Sequence, residues 1–436
     1  MSHNVCVRER GPPGNRAQRL TALPELEATT VQAHDQEETA PEGAVGQRVA
    51  VQRKLAGLTQ YQLADRAHLS KSLIQKVERG VVPATPAFTA NVARALRVDV
   101  DALTGEPYGP PLTDPRAEHA GIPALRAVLY SDDVSKLDGR PMSAAELRAR
   151  LDECEAHREK SRYAAVATAL PELLNHAYAL LADARPGSNA ETVWALLDDA
   201  YELAQAVSYR FGYFDLAALA VRCSREAAAR AGDPVRAAAA AFRATHMSLH
   251  QGDWAEVLRI IDHGHTLIDG DGSPTARAVQ AQLHLRQAIA QARLTALDRA
   301  DEHIAEARRL VDNGTVPVRP FYNINASTAN VEIHWVAVPV ELSDGTTAVS
   351  RAEQVQLPMD TEPSRVGHHW IDVARAWTLH GSRDKALDAL HQARRITPQQ
   401  TRYHPSVRET VHLLAEHDRR ANDTLAGFAR WADITL

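Results

Sequence analysis

A basic window near the N-terminus holds the densest set of side chains that could bind a charged partner. Between Ala44 and Arg97, nine lysines and arginines stand against two acids, Asp65 and Glu78, so this window has a net charge of +7. The whole chain of 436 residues carries −6, which leaves −13 for the rest. Because lysine and arginine displace condensed counterions from phosphates, the contrast predicts that polyanion binding is confined to this window.

Histidine pairs elsewhere have the spacing of metal ligands but lack the partners of a metal site. His246 and His250 are four residues apart, as paired zinc ligands on a helix often are. The glutamate of the zincin pattern does not follow His246, and no third ligand is identifiable, so we expect surface or groove positions. For residues 262–265 and for His368 and His369 we expect helix ends.

Composition and missing motifs narrow the class of protein. The length allows two or three domains, and no run of about 18 apolar residues could span a membrane. Cys6, Cys154 and Cys223 are too far apart for a disulfide framework, and the charged N-terminus is unlike a signal peptide. Phosphate-binding loops, nucleophile elbows and paired-carboxylate motifs do not occur in their required context. We therefore expect a cytoplasmic protein that is not an enzyme and uses no cofactor or metal.

Two short helices around a tight turn would position the basic side chains. Thr59 and Ser70 are suited to be N-caps, and each precedes a short amphipathic segment. Ala64 is small enough for the helices to cross closely, and Gly80 fits a C-terminal stop. Further helices are predicted at 45–55, 85–96 and 100–103. Together they predict a five-helix domain with a helix-turn-helix, whose second helix enters the major groove of DNA.

The residues of this segment resemble a known family. Over about Val45 to Thr104, the sequence resembles the helix-turn-helix of Xre and lambdoid phage repressors. The matching segments are Leu-Thr-Gln, Leu-Ala, Leu-Ser-Lys-Ser and Val-Glu-Arg-Gly. The resemblance implies that the side chains just after the second N-cap, Ser70, and those one turn later read bases. It also implies that a glutamine anchors a phosphate. Lysine and serine suit base edges chemically. The predicted DNA-binding set is Gln60, Lys71, Ser72, Gln75, Lys76 and Arg79.

The same resemblance implies two structural details. Arg53 and Glu78 should form a partly buried ion pair that ties the first helix to the recognition helix. His68 stands at the turn position that glycine usually holds, where a positive φ can be required. Histidine tolerates that conformation better than most other residues, so the departure weakens the match only slightly.

The remainder of the chain, residues 142–436, has the apolar spacing of successive amphipathic helices, including the valine-rich segment 334–342. Breaks recur at intervals of about 40 residues, at Gly212, Gly252, Asp298, Asp344 and Gly381. Each unit would be a helical hairpin that buries its apolar stripe by stacking on its neighbours. The pattern resembles tetratricopeptide repeats, and an α-helical bundle of another kind is the alternative.

Segments 330–344, 371–376 and 402–409 also resemble the repeat region of actinobacterial Xre regulators. This resemblance, over about 143–417, implies a cytoplasmic transcriptional regulator whose repeats sense a signal or dimerise. By looser analogy, Gram-positive regulators with these two modules bind peptides in the repeat groove. Candidate groove residues are Arg243, His246, His250, Gln282, Arg286, Asn323, Asn330 and His334.

The predicted organisation is all-α, with a five-helix lambda-repressor-like domain followed by a TPR-like α-solenoid of helical hairpins. We expect a disordered arm at 1–43, the DNA-binding domain at 44–105, a linker at 106–141 and the repeats at 142–436. The predicted function is sequence-specific regulation of transcription by a homodimer on palindromic double-stranded DNA, modulated by a peptide or small-molecule effector. The alternatives are a protein adaptor with an incidental helix-turn-helix and a metal-dependent enzyme that uses the histidine pairs.

Overall fold

A computed structural model describes residues 45–105, 117–131, 137, 139–184, 189–312, 324–417 and 423–435. The predicted arm at 1–43 lies outside the described residues, as does 106–116 of the predicted linker. Every regular element within the described ranges is a helix, which confirms the all-α prediction. None of these helices is long and apolar enough to cross a membrane.

The N-terminal domain contains the five predicted helices. They are α1 (Val45–Leu55), α2 (Gln60–Ala67), α3 (Lys71–Glu78), α4 (Pro86–Leu96) and α5 (Val100–Thr104). Thr59 caps α2 in a reciprocal capping box with Gln62, and Ser70 caps α3 through the Leu73 amide. Leu63, Ile74 and Leu103 are fully buried between the helices. Local capping and a shared apolar core therefore build this domain as the sequence predicts.

A left-handed turn residue and one close backbone approach set the angle of the recognition helix α3. His68 ends α2 with φ 54°, so it adopts the left-handed conformation expected at this turn. Gly46 lies where a Cβ atom would be 2.0 Å from the carbonyl oxygen of Val77, so α1 and α3 touch through backbone. A side chain at position 46 would push α3 away from the domain, because a packed core has no room for it.

Within its described residues, the second part of the chain contains sixteen α-helices. They are α6 (Ile122–Leu129), α7 (Ala144–Glu159), α8 (Tyr163–Asp183), α9 (Ala190–Arg210), α10 (Phe214–Arg230), α11 (Pro234–Gln251), α12 (Trp254–Leu267), α13 (Pro274–Arg293), α14 (Leu297–Asp312), α15 (Thr328–Glu341), α16 (Gly345–Gln354), α17 (Pro363–His380), α18 (Arg383–Ile396), α19 (Pro398–Tyr403), α20 (Pro405–His417) and α21 (Asp423–Ala432).

Successive helices of this part pack side by side. The pairs α9–α10, α11–α12, α13–α14 and α17–α18 make the most extensive contacts. The first pair contacts the second and the second contacts the third, and α15 and α16 connect the third pair to the fourth. Gly212, Gly252 and Gly381 have positive φ in the turns within three pairs, and Asp344 caps α16, so these predicted breaks are confirmed. Asp298 instead lies in the first turn of α14. The valine-rich segment is part of α15, as predicted.

The predicted linker at 106–141 is interrupted by α6, which belongs to the packed core. Ile122, Leu125 and Val128 are buried against α8. Pro123 lies in the first turn of α6, where a proline removes no helical hydrogen bond. A Cβ atom on Gly121 would lie 2.5 Å from the Ala167 carbonyl, which shows how closely this segment docks.

The last helices return to the first helices of the repeat region and close a ring. The Tyr403 hydroxyl donates to the Glu118 carboxylate at 2.5 Å, and Arg402 lies 3.3 Å from the same carboxylate. Gln400 and Ser161 form a hydrogen bond of 3.0 Å. Tyr403 is 4% exposed and belongs to the same apolar core as α7, α8 and α9. Residues far apart in the chain therefore enclose a common interior.

Candidate DNA-binding surface and central cavity

Helix α3 turns one face to the core and the other to solvent. Ile74 and Val77 are buried, as predicted from their spacing. The outward face carries the exposed side chains of Lys71, Ser72, Gln75, Lys76 and Arg79. The lysines and Arg79 offer donors with positive charge, and Ser72 and Gln75 offer both donors and acceptors. This face has the mixed donors and acceptors that base edges in a major groove require.

Glu78 holds α3 against α1 and α2. Its carboxylate accepts two hydrogen bonds from Arg53, at 2.6 and 2.9 Å, and the two side chains are only 11% and 5% exposed. The predicted ion pair is therefore confirmed, and the bond to Glu78 raises the pKa of Arg53. Gln60 Nε2 donates to the same carboxylate at 2.8 Å. The predicted phosphate-binding glutamine is thus held by Glu78 in this structure.

The DNA-binding domain is docked on the repeats through elements other than α3. Glu409 of α20 accepts hydrogen bonds from the backbone amides of Val45 and Ala84, at 3.0 and 3.3 Å. His250 of α11 lies 3.2 Å from Asp101 of α5. Because these contacts use α1, the segment before α4, and α5, the outward face of α3 stays exposed in the docked arrangement.

A second docking contact is made at the turn between α11 and α12. Arg94 of α4 donates to the carbonyl oxygen of Gly252. Gly252 has φ +71°, and a Cβ atom there would lie 2.2 Å from the Cβ of Ala90. The turn therefore needs glycine for two separate reasons, its left-handed backbone and the closeness of α4.

A cavity of about 250 Å³ lies inside the ring, and the DNA-binding domain forms part of its wall. The first helices of successive pairs, α9, α11, α13, α15 and α17, line it, together with residues around the start of α20. Val45, Ala84, Pro86 and Thr89 of the DNA-binding domain also line it. A molecule bound in this cavity would touch both parts of the protein.

Four of the predicted groove residues line this cavity. His246, His250, Arg286 and His334 come from three helices and meet in its wall. Arg286 Nη2 donates to His246 Nε2 at 2.8 Å, so the proton of the neutral His246 ring resides on Nδ1, which faces the Arg243 carbonyl at 3.0 Å. Asn323 lies outside the described residues.

Three other predicted groove residues bind within the scaffold. The Arg243 guanidinium is 2.6 Å from Asp198, and both side chains are almost fully buried. Gln282 and Asn330 both donate to the backbone carbonyl of Asn325. These three do not line the cavity: Arg243 and Gln282 bind neighbouring segments of the scaffold, and Asn330 binds the loop just before its own helix.

The sequence analysis did not include any polar residue of α17 among the groove candidates. Arg365, His368, Asp372 and Arg375 follow one another at intervals of three, four and three residues, so they share one helix face, and all four line the cavity. The same spacing argument that selected residues on α11 and α13 would have found them. His368 and His369 are inside α17 and not at a helix end, so that expectation was wrong.

Burial favours the neutral form of four cavity histidines. Burial lowers the pKa of His334 and of His404 to about 3 each, and nearby arginines act in the same direction. The pKa values of His246 and His368 are also well below the usual value, mainly through burial. The described residues contain no group of three or more histidine, cysteine or acidic side chains that could hold a metal ion.

Comparisons with known proteins agree with the N-terminal domain. Residues 44–104 match a family described as a helix-turn-helix domain. An immunity repressor protein of Bacillus phage phi105 is 30% identical over 120 residues, which cover 26% of this chain and 82% of the repressor. Through its N-terminal domain, the chain therefore belongs to the helix-turn-helix family, and it is related to this phage repressor.

Proposed function

We propose that this protein is a sequence-specific DNA-binding transcriptional regulator that acts in the cytoplasm, at the nucleoid. The observation that carries the proposal is the outward face of α3. Its five polar side chains are exposed, while α3 is held in place from behind by the Arg53–Glu78 pair. The match of 44–104 to a helix-turn-helix domain supports the same reading. The proposed role needs no catalytic step.

We further propose that the regulator binds a palindromic operator as a homodimer. One small domain presents few base-reading side chains, and each good bidentate contact supplies only about 1–3 kcal/mol of discrimination. Two domains related by a two-fold axis would double that reading on a palindromic site. The docking of the DNA-binding domain on the repeats would then fix the distance between the two recognition helices.

The repeat region is proposed to be a TPR-like α-solenoid that binds an effector. The paired helices and the recurring turns support a solenoid, and the cavity supports a bound molecule. An effector that fits one arrangement of the repeats better than another would change the separation of the recognition helices. Only such a difference in affinity can shift the equilibrium between two arrangements.

Selection of bound sequences from random DNA by the full-length protein at physiological salt tests the proposal. We expect an enriched palindrome, and titration at several salt concentrations should show a steep salt dependence. No enrichment and no salt dependence would refute the proposal and favour the protein-adaptor alternative.

Lys71→Ala and Lys76→Ala then test which side chains read bases. We expect each change to weaken binding to the selected sequence by about 1–3 kcal/mol and to affect random DNA less. Lys160→Ala removes an exposed lysine from the repeat region and serves as the control with the same change of charge. Equal losses on every DNA sequence would assign the two lysines to phosphate contacts.

A further inference from the structure

The wall of the central cavity has more positive than negative side chains. It holds five arginines and three carboxylates, namely Arg210, Arg286, Arg293, Arg365 and Arg375 against Glu341, Asp372 and Glu409. The cavity histidines whose pKa values burial lowers are neutral, so they do not change this balance. The wall of the cavity therefore carries an excess of two positive charges.

Two of the arginines are neutralised by cavity carboxylates. Glu341 accepts hydrogen bonds from Arg293 at 2.8 Å and from Arg375 at 3.1 Å, and these charges lower its pKa to about 2 against the effect of burial. Arg375 also donates to Asp372 at 2.9 Å. The Glu409 carboxylate accepts hydrogen bonds from two backbone amides of the DNA-binding domain. The excess charge therefore resides on the other three arginines.

Arg210, Arg286 and Arg365 form no ion pair within the part of the chain that the structure describes. Arg286 donates to the neutral ring of His246, and the Nε atoms of Arg286 and Arg365 are buried without a hydrogen-bond partner. Glu362 is the acid whose charge acts on Arg365, but its carboxylate already binds other side chains. A buried polar group without a hydrogen-bond partner lowers the stability of the folded protein, so each such group needs an explanation.

The three arginines line the same cavity, and the positive charges of Arg210 and Arg365 act on their neighbours. Burial lowers the pKa of Arg286 to about 9, and the positive charges of Arg365 and Arg210 contribute to that shift. Burial also lowers the pKa of Arg365, with Arg210 again acting in the same direction. Like charges gathered in a poorly solvated space destabilise the empty site, and an anion would remove that repulsion.

We propose that this cavity binds a small phosphate monoester, with its phosphate held by Arg210, Arg286 and Arg365. A phosphate monoester carries about −1.5 to −2 charges and three strong acceptor oxygens, which matches the excess charge and the unused donors. The planar fork of arginine suits phosphate oxygens particularly well. A volume of about 250 Å³ is below the ~300–1,000 Å³ of sites for drug-sized ligands, so the organic part must be small.

The ligand also favours the docked arrangement of the DNA-binding domain, and this second step rests on the proposed function. Val45, Ala84, Pro86 and Thr89 form part of the same wall. A molecule that fills the cavity gains contacts with them only while the domain is docked. The phosphate monoester therefore couples to DNA binding through the position of the domain.

Calorimetric titration of the full-length protein in a buffer without phosphate or sulfate tests the site, with glycerol 3-phosphate, inorganic phosphate and succinate as probes. We expect saturable binding of glycerol 3-phosphate, weaker binding of phosphate and none of succinate. Arg365→Met and Arg210→Met should each weaken glycerol 3-phosphate binding by about tenfold or more. Arg230→Met, which changes an exposed ion pair with Glu226, should leave it unchanged.

Thermal unfolding without ligand separates a binding role from a structural one. Removal of an unpaired, repelled charge should leave the melting temperature of Arg365→Met equal to or above that of the unaltered protein. Unaltered affinity in both the Arg365 and the Arg210 variants, or binding of succinate in place of the phosphate ester, would overturn the assignment.

Glycerol 3-phosphate added to the complex with the selected DNA separates the two proposals. We expect it to change the DNA affinity of the unaltered protein and not of Arg365→Met. Ester binding without any DNA binding would refute the proposed function and leave the anion site standing. DNA binding without ester binding would refute the anion site and leave the proposed function standing.

Discussion

Gly252→Ala tests whether the DNA-binding domain is docked as the structure shows. An alanine at φ +71° costs about 1–2 kcal/mol of left-handed strain. Its Cβ would lie 2.2 Å from the Cβ of Ala90, whereas carbon atoms in contact are about 3.5–4.0 Å apart. The domain must therefore move away by about 1.3–1.8 Å. That movement breaks the bond from Arg94 to the Gly252 carbonyl and adds an overpacking cost of about 1–3 kcal/mol.

Gly381→Ala is the matched control for this change. Gly381 ends α17 as Gly252 ends α11, with φ +93°, and no atom lies within 4 Å of the position of its Cβ. It carries the backbone strain without the collision. Amide hydrogen exchange should show lost protection at Val45 and Ala84, whose amides bind Glu409, in the Gly252 variant alone. Equal exchange at these amides in the two variants would refute the docking argument.

Two further predictions concern stability. His334 and His404 have a pKa of about 3 in the folded protein and about 6.5 when unfolded, so the unfolded chain binds more protons below pH 6.5. Stability should fall between pH 6.5 and 3, by up to about 1.4 kcal/mol per pH unit for each histidine, and a urea midpoint that is flat between pH 7 and 5 would contradict this. Arg243→Met should destabilise by about 3–5 kcal/mol because it leaves Asp198 buried without one of its charge partners, whereas the exposed Arg230→Met should cost about 0–1 kcal/mol in the same urea titration.

The DNA-binding domain could be predicted in detail because its signals are local. Thr59 and Ser70 cap helices within three residues of themselves, and His68 stands in a turn whose backbone needs are known. The Arg53–Glu78 pair came from a family resemblance and has the expected geometry. Short-range patterns predict this domain correctly because its tertiary contacts favour the same helices and turns as the local sequence does.

The cavity and the docking could be predicted only in part because they depend on distant residues. Glu409 meets Val45 from 364 positions away, and no local pattern marks either residue. His246 and Arg286 were predicted because they are polar residues on the inner helices of a solenoid, and both line the cavity. Arg243 was selected by the same spacing, but it faces a buried carboxylate. Periodicity assigns a residue to a helix face, but the neighbours of that face are set by how the ring closes.

Closure of the ring changes how the repeat region should unfold. A linear array of repeats can lose its terminal units one at a time, because each unit contacts only its neighbours. Here the Tyr403–Glu118 bond joins residues 285 positions apart, so both ends of the array are held. We expect the ring to open in one cooperative event rather than fray. Its assembly should also be slow, because the closing contact joins distant parts of the chain and loses conformational entropy before other contacts can compensate for that loss.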